Sequence, residues 1–402
     1  MTRIAVIGGG ASGIVAAITA KRLGADVTLF ERCDRIGRKI LATGNGRCNY
    51  TNINTDVSKY HGKNADFVKE ALKEFDVEKT MSFFKELGML TKIEDNGKAF
   101  PYSLQASAVL DVLRFELSRL GVNVVTEFEV ENIKKENDIF KIKSYDNRYE
   151  YADRIILSTG GKASSSLGSN GSGYDISKKM GHSVTRVFPS LVQVKTDSTY
   201  TKAMKGIKTD ALVKFCAEKT IAKEMGELLF TDYGVSGPVI FNISRYCGEY
   251  KNAKLKIDLL PEIEYEDLRQ MLEARRNKDI TLENFFVGML NKKIGMTITK
   301  YANVLPYSRT SDTLTSKEIN SLCNAIKLFE LNVEGTTSWN NAQVTAGGVN
   351  TDEVNSKTLE SKIVKGLYIT GELLDIDGDC GGYNLQWAWS SGFVAGKSSA
   401  EE

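Results

Sequence analysis

The first residues of the chain show its clearest pattern of apolar and polar positions. Residues 4–7 form an unbroken apolar run, which is typical of a strand buried in a parallel sheet. A helix is predicted from about residue 11 to residue 24, and a second apolar run, residues 27–30, follows it. Strand, helix and strand within so short a stretch predict a βαβ unit and therefore an α/β fold.

The periodicity changes along the rest of the chain. Residues 65–90 have the spacing of amphipathic helices, and further strands and helices follow up to about residue 190. Short strands then alternate with glycine turns, whereas residues 262–330 are mostly helical and strongly charged. Strand and glycine patterns return near residue 341. The predicted organisation is a nucleotide-binding domain made from both ends of the chain, residues 1–190 and 341–402, and an insert of residues 191–340.

A glycine motif joins the first predicted strand to the first predicted helix. Gly8, Gly10 and Gly13 form G-x-G-x-x-G, and Glu31 stands at the end of the second strand. Gly8 permits the tight turn, Gly10 lets the backbone approach a pyrophosphate, and Gly13 lets helix and strand pack closely. The helix N-terminus then offers N–H groups to the phosphates, and Glu31 accepts hydrogen bonds from a ribose diol. The motif favours a bound dinucleotide over a purely structural turn, and Glu31 disfavours NADP.

Composition and charge restrict the partners of this chain. Its 402 residues carry 53 Lys and Arg against 51 Asp and Glu, a net charge of +2, which argues against a nucleic-acid or anionic-membrane partner. No apolar run reaches the length of about 18 residues that a membrane span requires. Six scattered Cys without a C-x-x-C pair, and only two His, argue against a zinc site and favour a reducing, cytoplasmic compartment.

Two later segments favour FAD over NAD. The stretch "ADRIILSTGG" is a predicted strand that ends at Thr159 and Gly160, and it resembles the second flavin contact of flavoproteins with two dinucleotide-binding domains. The stretch "GLYITGELLDIDG" is a predicted strand that ends at Gly371 and Glu372, followed by a helix starting near Asn384. In such flavoproteins an acid at this strand end bonds the ribitol, and the helix N-terminus faces the flavin. A solvated carboxylate is the alternative for Glu372.

The segment "KILATGNGRCNYTN", residues 39–52, shows neither strand alternation nor a helical stripe, so a loop is predicted. In the flavoprotein fold this loop passes along the phosphates and the ring of the flavin. Arg38 and Lys39 are then expected near the pyrophosphate. Arg47 and Cys48 are expected near the isoalloxazine ring, where the Arg47 charge would stabilise the reduced flavin. The alternatives are a surface charge or ion pair for Arg47 and a small buried apolar residue for Cys48.

Four longer motifs give a more specific resemblance. The stretches "GRKILATGNGRCNYTN", "LFTDYGVSGP", "AQVTAGGV" and "GLYITGELLDIDGDCGGYNLQWAWSSGFVAG" are together similar to the BaiN/YhiN-like flavoproteins, which are bacterial FAD-binding proteins often described as NAD(P)/FAD-dependent oxidoreductases or aminoacetone-oxidase-family proteins. The resemblance implies non-covalent FAD in a glutathione-reductase-like FAD/NAD(P)-binding Rossmann domain. It also implies an inserted β-barrel, at about residues 191–260 and 331–340, and a small helical subdomain at about residues 262–330. One member of this family has been assigned the reduction of bile-acid enones.

The candidate site residues follow from these motifs and from the resemblance. The expected cofactor-binding residues are Gly8, Gly10, Ala11, Ser12, Gly13, Glu31, Arg32, Arg38, Lys39, Gly44, Gly46, Arg47, Cys48, Asn49, Val130, Thr159, Gly160, Gly371, Glu372, Asn384 and Leu385. If the substrate is an activated alkene, a proton donor must face the ring opposite N5, and the candidates are Arg47, Cys48 and Tyr383. No metal ligands are expected.

The remaining notable segments carry weaker signals. Residues 168–182 resemble a turn and helix that close the flavin site in fumarate-reductase relatives, although a plain glycine-rich connector fits as well. His182 is expected to cap a helix end rather than to catalyse, and His61 has less support. The basic helix ends at residues 266–278 and 290–295 are expected to be solvated faces, because no aromatic residues interleave with the charges as RNA binding would require.

The sequence therefore predicts a FAD-dependent oxidoreductase that transfers hydride between the flavin and a small organic substrate. Reduction of an activated C=C bond is the reaction that the resemblance implies. Only one full G-x-G-x-x-G is present, so NAD(P)H is expected as a transient reductant over the flavin face. Two alternatives remain open: a tRNA-modifying flavoenzyme with a basic concave face near the flavin, and a flavin-binding regulator without turnover.

Overall fold

The predicted βαβ unit is present at the N-terminus. Strand β1 (Arg3–Ile7) leads into helix α1 (Ala11–Arg22), and strand β2 (Asp26–Phe30) returns parallel to β1, with Ile4 opposite Val27. Most residues of both strands are buried, as expected at the centre of a parallel sheet that is covered on both faces. The α/β fold class is thereby confirmed.

The computed structural model describes residues 1–94 and 96–401. Strands beyond β2 in this part of the chain are β3 (Thr51–Asn52), β4 (Tyr60–His61), β5 (Thr91–Ile93), β6 (Lys98–Pro101), β7 (Asn123–Val125), β8 (Val130–Glu136), β9 (Ile139–Ser144), β10 (Tyr149–Ala152), β11 (Arg154–Leu157), β12 (Phe188–Ser190), β13 (Val194–Thr196), β14 (Lys208–Cys216), β15 (Thr220–Phe230), β16 (Gly234–Ser236), β17 (Lys254–Asp258), β18 (Phe329–Thr336), β19 (Val344–Ala346), β20 (Leu367–Ile369) and β21 (Asp377–Gly378).

Helices beyond α1 are α2 (Arg38–Ala42), α3 (Val68–Glu74), α4 (Val77–Glu86), α5 (Ala106–Arg119), α6 (Ser172–Lys179), α7 (Ser198–Thr201), α8 (Pro238–Ser244), α9 (Tyr246–Glu249), α10 (Tyr265–Arg276), α11 (Lys292–Tyr301), α12 (Ser316–Lys327) and α13 (Tyr383–Glu401). Among the described residues, none of these helices has the length and apolar character needed to cross a membrane.

The first of two structural units comprises Met1–Phe188 and Ala342–Glu402. Its central sheet has the order β20-β11-β1-β2-β7, and each neighbouring pair of strands is parallel. Helices α1, α5 and α13 contribute apolar residues to the same core as the sheet. The carboxyl ends of β1, β11 and β20 therefore lie at one edge of the sheet, which is where ligands bind in open parallel sheets.

The second unit comprises Pro189–Asn341 and has a core of its own. Six strands close into a barrel in the order β13-β16-β15-β14-β17-β18, and helices α10, α11 and α12 lie between β17 and β18 in the chain. Helix α12 begins with a capping box in which Thr315 and Glu318 bond each other's backbone N–H groups. The predicted barrel and helical subdomain are both confirmed, and the predicted insert, residues 191–340, falls inside this unit.

The segment of residues 39–52 is more regular than predicted. It includes most of α2, a 3₁₀ turn at Thr43–Gly46 and strand β3. The prediction of a plain loop was wrong because a helix of five residues spans little more than one turn and cannot display a 3.6-residue period. Gly37 precedes α2 with φ of +74°, and a Cβ there would lie 2.2 Å from Leu110.

Candidate functional site

The three glycines of the fingerprint meet three different local constraints. Gly8 has φ of +109°, and a Cβ on it would lie 2.5 Å from the Ser158 carbonyl oxygen. A Cβ on Gly13 would lie 1.9 Å from the Gly8 carbonyl oxygen, so α1 packs too closely against the turn after β1 for any side chain. A Cβ on Gly10 would meet no atom of the described residues within 4 Å. The turn and the packing thus account for Gly8 and Gly13, whereas Gly10 borders open space, as a pyrophosphate-binding turn requires.

The N-terminus of α1 is suited to an anion. Gly10 is its N-cap, no side chain of the described residues caps it, and the first turn contains no acidic residue. The first N–H groups of a helix have no partner within the helix, and the helix dipole places partial positive charge there. The diphosphate of a dinucleotide therefore fits this end of α1 both in charge and in hydrogen bonding.

Glu31 lies directly after β2 and holds the glycine turn. Its Oε2 accepts a hydrogen bond from the Gly9 N–H at 2.9 Å, and its Oε1 accepts one from the Cys33 N–H at 2.8 Å. A carboxylate has about four acceptor sites, so these two bonds leave capacity for the diol of a ribose. The Glu31 side chain thus links the turn to the place where a nucleotide ribose is expected.

Helix α13 extends the site away from α1. A Cβ on Gly392 would lie 2.3 Å from the Ser12 carbonyl oxygen, and a Cβ on Gly396 would lie 2.5 Å from that of Ala16. Both contacts move forward by four residues, from Gly392 to Gly396 on α13 and from Ser12 to Ala16 on α1. The two helices therefore run parallel and in close contact. Because Tyr383 precedes Gly392 by 392 − 383 = 9 residues, α13 begins about 14 Å beyond the level of Ser12 at 1.5 Å per residue. The two helix N-termini therefore mark an elongated site.

Gly371 and Glu372 lie between the two helix N-termini. Gly371 has φ of +65°, a Cβ on it would lie 2.7 Å from the Ser12 Oγ, and its carbonyl oxygen accepts a hydrogen bond from Trp387 Nε1 at 3.0 Å. Glu372 Oε2 lies 2.7 Å from the Lys39 ammonium, and its Oε1 accepts the Thr345 N–H at 2.9 Å. Glu372 is therefore an ion-paired side chain that joins three separate segments of the first unit.

The segment of residues 39–52 ends against the start of α13. The Asn52 Nδ2 donates to the Gly381 carbonyl oxygen at 2.9 Å, and Trp389 Nε1 donates to the Tyr50 carbonyl oxygen at 2.8 Å. A Cβ on Gly382, whose φ is +99°, would lie 2.6 Å from the Thr51 carbonyl oxygen. These contacts bring β3 and the turn before α13 to the same end of the elongated site.

The middle of the same segment is locally strained. Gly44, Asn45, Gly46 and Cys48 all have positive φ, of 57°, 55°, 82° and 57°. Glycine adopts such angles freely, but Asn and Cys do so at an energetic cost. Non-glycine residues in this region cluster at functional sites, so the strain favours a functional loop over an ordinary surface turn.

The three candidate proton donors lie in different environments. The Arg47 Nη1 is 2.9 Å from Glu94 Oε1, and the guanidinium carbon is 4.3 Å from the centre of the Phe100 ring. The Cys48 side chain is fully buried, and burial raises the pKa of its thiol to about 12. Burial also raises the pKa of Tyr383, a residue that is 7% exposed at the start of α13. The surroundings of Arg47 and Cys48 favour the ion-pair and buried-residue alternatives for these two side chains.

Some of the other expected cofactor residues are engaged within the protein. Arg38 Nη2 donates to the Ser166 carbonyl oxygen at 3.2 Å, and the Asn384 side chain bonds both backbone groups of Gly378 at 2.8 Å. Thr159 Oγ1, Asn49 Oδ1 and Arg32 Nη1 are buried atoms without a hydrogen-bond partner among the described residues, although Arg32 Nη1 lies 3.5 Å from Glu129 Oε1. Unpaired buried polar atoms are costly, so these three atoms are suited to form hydrogen bonds with a ligand.

The remaining expected residues have mainly backbone or packing roles. Gly160 has φ of +72°, Val130 begins β8 and is 6% exposed, and Leu385 is half-buried in the first turn of α13. Ala11 is half-buried in the first turn of α1. The structure thus brings the N-terminal turn, Glu372 and the start of α13 into one unit, in the order expected for an extended dinucleotide.

Sequence reasoning missed two features of this region. Lys98 on β6 lies directly opposite Asn52 on β3. His61 on β4 has its Nε2 2.7 Å from Asp379 Oδ1 on the loop before α13. Neither residue belongs to a recognisable motif, because each reaches the site by pairing of short strands that are distant in the chain. His182 instead lies outside this region, bonded to Glu353 and Ser361.

Comparisons with known proteins agree with this geometry. A family model described as the HI0933-like protein Rossmann domain matches residues 2–398. A 3-dehydro-bile acid delta(4,6)-reductase of Clostridium scindens is 43% identical over 410 residues, and the alignment covers 100% of this chain and 100% of that protein. A ribosomal RNA dihydrouridine synthase of Haemophilus influenzae is 31% identical over 403 residues, with 99% of this chain and 98% of that protein covered.

Among solved structures, a 3-ketosteroid delta1-dehydrogenase from Sterolibacterium denitrificans superimposes with a TM-score of 0.53 over 100% of both chains. The sequences are only 12% identical, so this likeness concerns the fold alone.

Proposed function

Because this chain belongs to the HI0933-like protein family and is an FAD-dependent oxidoreductase, we propose that it reduces a carbon–carbon double bond conjugated to a carbonyl group. The favoured substrate is a 3-oxo bile-acid-type steroid with double bonds at positions 4 and 6. The observation that carries the proposal is the 43% identity, over the whole chain, to a protein named as a reductase of such compounds.

The names of the two relatives support the same class of reaction, although their substrates differ. A 3-dehydro-bile acid delta(4,6)-reductase acts on double bonds conjugated to a 3-oxo group, and a dihydrouridine synthase saturates the uracil double bond that is conjugated to a ring carbonyl. In both compounds the double bond is conjugated to a carbonyl group, which can accept the negative charge when hydride adds to the far end of the conjugated system. This shared chemistry supports reduction of activated alkenes more strongly than either name alone.

The residues of the first unit fit FAD. The uncapped start of α1, the open space beside Gly10, and the Glu31 carboxylate suit the diphosphate and the ribose. Glu372, fixed by Lys39, suits the ribitol, and the start of α13 suits the ring. Bound FAD supplies hydride transfer at N5 of its ring, whereas the protein supplies position and electrostatics. Tyr383 is the proton donor that this arrangement favours, because it opens α13 whereas Cys48 is fully buried and Arg47 is ion-paired.

NAD(P)H is the proposed electron donor, and it acts transiently. The single glycine fingerprint belongs to the FAD site, and the second unit is a barrel with helices rather than another parallel sheet. We therefore expect the nicotinamide to approach the flavin directly and to leave before the substrate enters.

An anaerobic half-reaction experiment tests the proposal. The yellow holoprotein is reduced with NADH or NADPH, and a 3-oxo-4,6-diene bile acid is then added while the flavin absorbance is followed. The expected result is rapid reoxidation of the flavin with a product heavier by two hydrogens per reduced bond. The saturated 3-oxo bile acid is the control and should leave the flavin reduced. Reoxidation at the same rate with both compounds would contradict the proposal.

Reduction of uridine in ribosomal RNA is the second candidate function. It is favoured by the 31% identity to a ribosomal RNA dihydrouridine synthase over nearly the full length of both chains. The full-length similarity to named enzymes favours either reaction over a regulator without turnover. Reduced holoprotein mixed with unmodified ribosomal RNA distinguishes the candidates, because dihydrouridine would form only if RNA is the substrate.

A further inference from the structure

We propose that Lys98, rather than Arg47, supplies the positive charge that stabilises the reduced flavin ring. Lys98 begins β6, a short strand between β3 and β5 in a three-stranded antiparallel sheet. The inference rests on the proposed function only in that it places the flavin ring at the start of α13. It adds a charge-stabilising residue that none of the sequence motifs contains.

The pairing of β3 with β6 directs Lys98 toward the turn before α13. Lys98 lies directly opposite Asn52, and side chains of directly opposed residues project from the same face of an antiparallel pair. On that face the Asn52 side chain reaches the Gly381 carbonyl oxygen at 2.9 Å. Burial raises the pKa of the adjacent Cys380 thiol, and the Lys98 ammonium opposes that rise, which is consistent with the ammonium lying near the same turn.

Lys98 differs from Arg47 and Lys39, the two cations expected near the cofactor, in having no acidic partner among the described residues. Lys98 is half-buried, and its ammonium has no ion pair within residues 1–94 and 96–401. Arg47 is instead paired with Glu94, and Lys39 is paired with Glu372. Asp379, the acid next to Cys380, is bonded to His61 at 2.7 Å and lies 3.7 Å from the Lys59 ammonium. Within the described residues, the charge of Lys98 is therefore available to a ligand.

A half-buried lysine without an ion pair among the described residues, near the turn that precedes a helix N-terminus, favours negative charge in this region. The first turn of α13 contains no acidic residue, so its dipole adds to the field of Lys98. Charges that are fixed before reaction stabilise the charge that develops during it without reorganisation. Lys98 thus stabilises the flavin ring in its two-electron-reduced form, in which the pyrimidine part of the ring carries negative charge.

The test is the flavin midpoint potential of holoprotein variants at constant pH and salt. Lys98→Met is expected to lower the potential, Lys98→Arg is expected to retain most of the wild-type value, and Lys92→Met is expected to leave it unchanged. Lys92 is the matched control, because it is an exposed lysine on the neighbouring strand β5 and its loss changes the net charge equally. A merely structural role of Lys98 would not reproduce this order of potentials.

Lys98→Gln provides a second neutral variant should Lys98→Met bind FAD poorly. Wild-type potential in both neutral variants, or the same shift in Lys92→Met as in Lys98→Met, would overturn the inference. Because the potential is measured without substrate, its outcome is separate from that of the proposed reaction. A wild type that fails to reduce enones and a Lys98→Met variant with a lowered potential would reject the proposed substrate but support the role of Lys98.

Discussion

At the scale of single residues, Gly10 and Gly13 stand three positions apart but are glycines for opposite reasons. Gly13 is required by the protein itself, since its neighbour Gly8 leaves no room for a Cβ. Gly10 is not required by any described contact, and its open side is where we place the pyrophosphate of FAD. Substitution at these two positions therefore separates loss of cofactor from loss of fold.

We expect Gly10→Val to abolish stoichiometric FAD binding while the apoprotein keeps its wild-type unfolding free energy. Gly13→Val should destabilise the apoprotein by at least about 3 kcal/mol, the upper end of what overpacking a core costs. Flavin content of the purified proteins and urea unfolding of the apoproteins measure the two effects. A Gly10→Val protein that retains bound FAD would place the cofactor elsewhere.

The glycine fingerprint could be predicted because its constraints are local: a strand, a turn and a helix contiguous in the chain fix all three positions. The environments of Arg47 and Lys98 could not be predicted in this way. Arg47 meets Glu94, and Lys98 lies opposite Asn52, only after short strands pair across long sequence separations. The sequence pattern alone could therefore point only to Arg47, the cation inside the motif, as the charge near the ring.

At the scale of elements, the connection between β19 and β20 is held by a buried histidine. The Nδ1 of His182 lies 3.1 Å from Glu353 Oε2, and its Nε2 lies 2.8 Å from Ser361 Oγ. This order of groups matches a Ser–His–acid triad. However, Ser361 Oγ also accepts the N–H groups of Ile363 and Val364, so its lone pairs are occupied and the cluster is structural. The His182 N–H caps the end of α6 by donating to the Ser177 carbonyl oxygen at 3.0 Å, but its side chain acts as neither a cap nor a catalyst.

The His182 cluster makes stability depend on pH. Burial lowers the pKa of His182 below the ordinary 6.5, although Glu353 opposes this shift. The unfolded chain then binds a proton that the folded protein excludes, so the contribution of His182 to stability is complete above pH 6.5 and is lost as the pH falls below it.

We expect the unfolding free energy to decrease between about pH 7 and pH 5, with His182 contributing a slope of up to about 1.4 kcal/mol per pH unit. His182→Gln should remove that contribution. Urea unfolding of holoprotein across this range measures the slope. His61→Gln is the matched control, because His61 is the other histidine of the chain and its ring contacts a different carboxylate, that of Asp379. An equal slope in His182→Gln and the wild type would show that His182 does not exclude the proton.

Long elements, in which the apolar pattern repeats several times, were predicted more reliably than short ones. The helix from Ala11 and the strands around it follow directly from the apolar pattern. The five-residue α2 and the two-residue strands β3 and β4 are too short to have a period, and tertiary contacts alone stabilise them. The part of the site that depends on those short strands, including Lys98 and His61, is accordingly the part that the sequence did not reveal.

At the scale of the whole molecule, the inserted unit has the construction of an independent domain. Its barrel is closed, and β13 at its start pairs with β18 near its end, with Val194 opposite Thr336. Beyond that pair the Thr337 N–H donates to the Gln193 carbonyl oxygen at 3.0 Å. The unit also has its own core, which runs from the barrel into α10, α11 and α12. The two ends of this unit therefore lie next to each other, as in domains that tolerate insertion and excision.

We expect residues 189–341, expressed alone, to fold cooperatively without bound flavin, because the closed barrel needs no strand from the rest of the chain. The complementary protein, in which a short Gly-Ser linker joins Phe188 to Ala342, should still bind FAD, because α1, Glu31, Glu372 and α13 all belong to the first unit. Thermal unfolding followed by circular dichroism tests the excised unit, and flavin content tests the linked one. In the linked protein, Gly10→Val is the control for specific binding at the glycine turn. If the linked protein folds but binds no FAD, the site must include residues of the insert, and the boundaries proposed for the FAD-binding domain would be wrong.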